Sequence, residues 1–322
     1  MALAYIVDGG LNDQPGTGAD LYERFPAVRD LYARVHEWTG LSVGRLLAWE
    51  LPAQQEFRQV GAIRQAAVVL GLCDVLAEHG VRPDVVGGLS LGGRISACIA
   101  GSLSRQGLFE LLARLRHAPP PPGPAQGVAA LVVPAEADLA DLLRGEDLVN
   151  GGRLYVAAEL GVVGGGRDRM LLLAGYRAAL DELAARLPKG TVRIPKDVVA
   201  AYHSPLSQYL VDFLDPALTA TPFRDPAIPL CSCMTPRPLT TAEQVREEFR
   251  LNPVARVSLP QVFAGLEAHE VELALLLGPA QVDLFLESPN VQVVHVESPE
   301  HLPEALTAIH DFGVQLSAGG AR

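Results

Sequence analysis

Aromatic residues are scarce in this chain, 6% of 322, and positive charge is in deficit: 26 Lys and Arg against 37 Asp and Glu leave a formal charge of −11. Broad nucleic-acid binding needs a basic face, so nucleic acid is not an expected partner, although a local basic patch can still dock an acidic protein. The four cysteines (Cys73, Cys98, Cys231 and Cys233) are too few for a disulfide framework in a chain this long. Cys231 and Cys233 frame a C-S-C, but no second Cys or His pair stands at ligand spacing nearby, so no metal is expected and the thiols read as buried apolar groups. Uninterrupted apolar stretches fall short of the ~18 residues a membrane span needs, and no basic, apolar leader opens the sequence. The expectation is a cytoplasmic protein with no membrane association. What is plentiful is apolar residues, 49%, ample for a buried core in one large domain or two ordinary ones.

The apolar residues fall into alternating patterns. Ala4–Val7 is a short apolar run ending at Asp8-Gly9-Gly10, a buried strand entering a glycine turn. Tyr22 to Glu50 carries helical periodicity, and Ala62–His79 is a second long helix closed by Gly80 and Pro83. Asp84-Val85-Val86 reads as a strand, followed by a turn at Gly87, a helix from Ile95 to Ile99 and another over Gln106–Arg116. This alternation predicts a hydrolase-like α/β core, a short parallel sheet flanked by helices. Pro119 to Pro122, Gly123 and Pro124 then break the chain. Beyond the break come strands at Val128–Val133, Arg153–Ala158, Met170–Ala174 and Val192–Ile194, with helices at Glu136–Leu143 and Tyr176–Leu187. That β-α-β-β-α-β order predicts a ferredoxin-like α+β subdomain over 126–197, inserted into a large subdomain made of 1–125 and 198–322. After Val198 the pattern returns to helices and two short strands, Ala274–Leu277 and Gln292–His295.

Gly88-Leu89-Ser90-Leu91-Gly92 follows a β-branched strand and precedes a helix. A G-x-S-x-G turn at such a junction forces the serine into a tight, exposed conformation, with glycines where a Cβ would collide with neighbouring backbone. The helix N-terminus then aims backbone N–H groups at charge developing on a substrate carbonyl. The other reading is a glycine turn that merely joins two elements. A nucleophilic serine needs a base. Among eight histidines, His36, His79, His269 and His310 sit in polar helical contexts, His117 lies at the proline break and His295 on a strand pattern. His203 differs: it sits in Ala201-Tyr202-His203-Ser204-Pro205-Leu206, a loop before a helix that Pro205 can start.

Taken together, these segments resemble the malonyl-CoA:acyl-carrier-protein transacylases and the acyltransferase domains of polyketide synthases, over nearly the whole length. Gly9-Gly10-Leu11-Asn12-Asp13 stands where that family has G-Q-G-S-Q, and Gly88-Leu89-Ser90-Leu91-Gly92-Gly93 where it has G-H-S-x-G-E. Ile95 through Ser104 is similar to its AAxVAAGALS segment, and Tyr202-His203-Ser204-Pro205-Leu206-Ser207 to its F-H-S-P-L-M. Asn252-Pro253-Val254 and Leu277-Gly278-Pro279 are similar to its NPVxW and E-x-G-P segments. The resemblance implies Ser90 as nucleophile and His203 as general base, then acid, steadied by a backbone carbonyl. It implies an oxyanion hole from the backbone N–H groups of Gly10 and Leu91. It also implies no cofactor beyond the substrate's own carrier: the acyl group arrives on coenzyme A or on the phosphopantetheine of an acyl carrier protein, which is the expected partner.

The chain departs from the family at the carboxylate-binding positions. Leu115 stands in place of the malonyl-binding arginine, flanked by Arg114 and Arg116, which point about 100° to either side on a helix. Leu89 replaces the histidine before the nucleophile, Gly10 the glutamine of the first loop, and Phe249 the glutamine before the NPV segment. A malonyl carboxylate buried against Leu89, Leu115 and Phe249 would go unpaired, at a cost of several kcal/mol. The expectation is therefore a discrete, trans-acting acyltransferase of polyketide or antibiotic biosynthesis that moves a non-malonyl acyl, aminoacyl or polyketide chain. A carrier-clearing acyl hydrolase of the same fold and a non-catalytic carrier-binding scaffold are the alternatives, and an ordinary α/β-hydrolase esterase is disfavoured by the insertion. Arg153, Lys189, Arg193, Lys196, Arg250 and Arg256 are the candidate carrier-docking cations.

Overall fold

Strand β1 (Ala2–Val7) is apolar along its length because both its faces are covered: Leu3, Ala4, Tyr5, Ile6 and Val7 are all buried. The computed structural model describes residues 2–10, 14–48, 54–142, 152–281, 285 and 290–314. β1 pairs in parallel with β2 (Val85–Gly88) on one side and β9 (Val271–Leu277) on the other. β7 (Leu230–Cys231) and β10 (Gln292–Val296) complete a five-stranded parallel sheet in the order β10-β9-β1-β2-β7.

Helices cover this sheet. The N-terminal periodicity is broken into α1 (Ala19–Arg24), α2 (Pro26–Thr39) and α3 (Val43–Leu46), because Pro26 starts a new helix and Gly40 closes it in the left-handed region. Glu50, the end of the expected helical stretch, lies outside the described residues. α4 (Gln54–Glu78) follows, and its Val60–Glu78 part is long and apolar enough by composition to cross a membrane, yet most of it is buried inside the fold. Counting uninterrupted apolar runs missed this because Arg64, Gln65 and Asp74 interrupt the run. α5 (Leu91–Ile99) and α6 (Arg105–Leu115) follow β2. The result is an α/β fold with a parallel sheet flanked by helices.

A second sheet stands beside the first. β3 (Gln126–Pro134), β4 (Leu154–Val163), β5 (Asp168–Tyr176) and β6 (Val192–Arg193) pair antiparallel in the order β6-β3-β5-β4, the strand order of a ferredoxin-like unit. α7 (Leu139–Leu142) and α8 (Arg177–Arg186) pack on it; Leu143, the expected end of the first, is outside the described residues. β8 (Val257–Ser258) pairs in parallel with β4 and adds a fifth strand to this sheet from the far part of the chain. The sequence predicts two strands after Val198, whereas four lie there among the described residues, since β7 and β8 are two residues each and too short to show a period.

Between β6 and β8 run α9 (Gln208–Ala220) and α10 (Ala242–Leu251), the latter opened by a Thr241–Gln244 capping box. α11 (Leu259–Glu267) and α12 (Leu302–Asp311) close the chain against the first sheet. Val198 and Ala201 bury against Val128, Ala157 and Ala174, so the segment leading to His203 is packed on the second sheet.

Candidate active site

The turn after β2 is built from near-contacts that only glycine permits. A Cβ on Gly88 would lie 2.4 Å from the Gly92 carbonyl carbon, and one on Gly92 would lie 2.0 Å from the Val7 oxygen. Ser90, at φ 56° and ψ −111°, caps α5 in a region that side chains other than glycine rarely adopt. That strained backbone lifts Oγ off the end of the sheet, towards His203.

Ser90 Oγ and His203 Nε2 are 2.8 Å apart. His203 is itself at φ 58°, and its ring is held from the other side, where Nδ1 lies 2.7 Å from the Asn252 carbonyl oxygen. Since a carbonyl can only accept, Nδ1 carries the proton and Nε2 is the free acceptor for the serine hydroxyl. The backbone N–H of His203 donates to the Pro253 oxygen at 2.7 Å, so the Asn252-Pro253 pair fixes both the ring and the backbone. Burial holds the His203 imidazole down to about 4. The hydrogen bond to Asn252 opposes that shift, while nearby Arg94 adds to it. A neutral imidazole on a serine hydroxyl is a general base in waiting.

The loop after β1 comes up against this turn. A Cβ on Gly9 would be 3.8 Å from that of Ser90, and one on Gly10 would be 3.5 Å from Leu91 Cδ2. Gln65 of α4 donates to the carbonyls of Asp8 (2.8 Å) and Gly9 (3.2 Å). Every peptide bond described is trans, so the N–H of Gly10 points away from the Gly9 carbonyl and hence away from Gln65. Leu91 supplies the first N–H of α5. Leu11, Asn12 and Asp13, the rest of the expected loop motif, lie outside the described residues.

Leu89 and Phe249 are buried close to the turn, whereas Leu115 is half-buried at the end of α6, packed against the main core. Sequence reasoning missed Arg94, one turn after Ser90. It is 9% exposed, its guanidinium carbon lies 5.7 Å from the centroid of the Phe249 ring, Nη2 donates to the Phe249 oxygen at 3.4 Å, and Nε has no hydrogen-bond partner among the described residues. Burial lowers its pKa to about 10. The cavity it shares with Gly93, Ala97, Glu248, Phe249 and Asn252 is only about 10 Å³, room for one water, and neither Ser90 nor His203 lines it. The backbone carbonyl expected to steady His203 is that of Asn252, which the sequence does not single out because a backbone group leaves no side-chain signature; Gln65 was missed altogether.

Of the six expected docking cations, three have local partners: Arg153 with Glu182 (2.9 Å), Arg250 with Glu247, and Arg256 with Glu159 (2.8 Å). Lys189, Arg193 and Lys196 are exposed along the segment that includes β6. Among the described residues no group of three His, Cys, Asp or Glu is placed to hold a metal.

No protein-family model matches the chain. It is similar to the polyketide synthase GfsA of Streptomyces halstedii, 30% identical over 246 residues, which are 72% of this chain but 3% of that synthase. It is 23% identical over 319 residues to the malonyl CoA-acyl carrier protein transacylase of Bacillus subtilis, covering 96% of this chain and 98% of that one. Among solved structures, FabD from Acinetobacter baumannii superposes with a TM-score of 0.83 at 18% identity, over 97% of this chain and 99% of the other.

Proposed function

We infer that the chain belongs to the malonyl-CoA:acyl-carrier-protein transacylase and polyketide synthase acyltransferase family, a placement supported by its homologues and structural neighbours, and that it is an acyltransferase serving acyl carrier proteins in polyketide or fatty-acid synthesis. The observation that carries this reading is the 2.8 Å contact between Ser90 Oγ and a neutral His203 Nε2. Ser90 attacks the thioester carbonyl while Nε2 takes the hydroxyl proton. The tetrahedral oxyanion is received by the N–H groups of Leu91 and Gly10. Its collapse breaks the C–S bond, the departing thiolate takes the proton from His203, and the acyl group is left as an ester on Ser90. A carrier thiol then gives its proton to His203 and attacks the ester; on collapse Ser90 leaves and recovers that proton.

The acyl group lacks a free carboxylate. Leu89 and Phe249 are buried and apolar, Leu115 is apolar, and Arg94 spends its charge on the ring and carbonyl of Phe249. A carboxylate placed there would lose hydration with little in return.

The test is intact mass after incubation with malonyl, acetyl, hexanoyl and aminoacyl thioesters, with and without a carrier protein. An adduct that is lost in Ser90→Ala and moves to the carrier establishes the transferase and names the acyl class. Ready malonyl loading overturns the specificity. Free acid without carrier acylation replaces transfer by hydrolysis. No adduct and no acid from any donor leaves a carrier-binding scaffold.

A further inference from the structure

Gly93, the third residue after Ser90, leaves a space that a residue from another helix fills. A Cβ built on Gly93 would lie 3.2 Å from the Gly88 oxygen, 3.8 Å from Glu248 Oε1 and 3.9 Å from Cys233 Sγ. Glu248 comes from α10, and its carboxyl group is enclosed although the residue as a whole is half-buried. Among the described residues no cation forms an ion pair with it. Burial pushes its carboxyl up to about 7, opposed by hydrogen bonds from Ser232 and the Cys233 backbone.

This carboxylate is linked to the nucleophile in two short steps. One oxygen accepts the hydroxyl of Ser232, and the other faces the Cys233 thiol at 4.0 Å. The Ser90 backbone in turn lies close enough to the Cys233 sulfur to oppose the rise that burial imposes on that thiol. Ser232 Oγ already accepts the N–H groups of Met234 (3.0 Å) and Thr235 (3.1 Å), so towards Glu248 it can only donate. The place beside Gly93 therefore calls for an acceptor on both sides, which a carboxylate supplies and an amide does not. A buried carboxylate without a cation is costly, so one kept behind a strained serine has to be set against what it holds in place.

We propose that Glu248 is a positioning residue for Ser90: from α10 it supplies, through Ser232 and Cys233, the carboxylate that braces the nucleophile turn behind Gly93. The inference rests on the acyl-enzyme reading, and its test separates the two. The rate at which a fluorophosphonate labels Ser90 is measured for the wild type, Glu248→Gln, Glu248→Ala, Gly93→Ala/Glu248→Ala and Gly93→Glu/Glu248→Ala. Melting temperatures and hydrogen exchange of the 85–94 segment are read on the same samples. Misplacement of a reacting group by ~1 Å can cost about a hundredfold, so labelling is expected to fall about tenfold to a hundredfold in Glu248→Gln and Glu248→Ala, with faster exchange in the segment. It is expected to recover to within about threefold of the wild type in Gly93→Glu/Glu248→Ala, where the carboxylate returns from the other side, and not in Gly93→Ala/Glu248→Ala. Wild-type labelling and exchange in Glu248→Gln overturn the proposal, as does equal recovery by the two double variants, which would make volume the cause. If the wild type itself labels no faster than free serine, the acyl-enzyme reading falls, and the exchange pattern alone decides whether Glu248 braces the turn.

Discussion

The carbonyl oxygen of Asn252 accepts the Nδ1 proton of His203 at 2.7 Å, and the Asn252 side-chain amide reaches the Ser90 carbonyl at 3.4 Å, so one residue touches both halves of the dyad. Burial makes His203 resist protonation, lowering its pKa from 6.5 to about 4 against the opposing pull of the Asn252 hydrogen bond. At pH ~5.5 fluorophosphonate labelling should stay within about twofold of its neutral-pH rate, whereas a base titrating at its ordinary value would slow about tenfold. The folded state binds fewer protons than the unfolded chain between those two pKa values, so this group's contribution to stability is complete above about 6.5 and is lost as pH falls towards 4. A labelling inflection near 6.5 would sink the assignment.

Gly92→Ala tests the close approach beneath the nucleophile. Its new Cβ would fall 2.0 Å from the Val7 oxygen, a clash with main chain that no rotamer relieves. Denaturant unfolding should show a loss on the order of 3–5 kcal/mol, together with lost labelling. A loss under about 1 kcal/mol would mean that α5 can slide along β1.

Leu115→Arg, combined with Leu89→His, tests the apolar reading of the acyl pocket. If those side chains exclude malonate, returning a cation and a donor should raise malonyl loading on Ser90 about tenfold or more while hexanoyl loading falls. Unchanged malonyl loading in a variant that melts like the wild type would show that the exclusion lies elsewhere.

Lys189, Arg193 and Lys196 are exposed on one segment, so charge reversal there should act on the encounter with an acidic carrier and not on chemistry. The triple Glu variant should slow carrier acylation about tenfold at low salt, converge with the wild type at high salt, and label with fluorophosphonate at the wild-type rate. Salt-independent slowing would place the defect in folding. Reversing Arg153, Arg250 and Arg256 should matter less, because each already has a local carboxylate.

Much of this was legible in the sequence where a signal is local. Val85 and Val86 lead into Gly88-Leu89-Ser90-Leu91-Gly92, and the strand and turn are found there because β-branching and glycine spacing are properties of neighbours in the chain. Long-range contacts left no comparable trace. Glu248 stands beside Gly93 only through the packing of α10, and nothing around either residue announces the other. The carbonyls of Asn252 and Pro253 belong to every residue type and so carry no compositional mark. The two-residue strands β7 and β8 owe their pairing to neighbours already in place and not to any pattern of their own.

Ser90 is carried at the end of β2 in one sheet, while the segment leading to His203 is packed on the other through Val198 and Ala201. The hydroxyl-to-imidazole distance therefore depends on how the two sheets sit against each other. After it has delivered both His203 and Asn252, the chain is tied to the second sheet by the pairing of β8 with β4. A strand that bears no reactive group thus shares in setting where the imidazole stands relative to the serine hydroxyl.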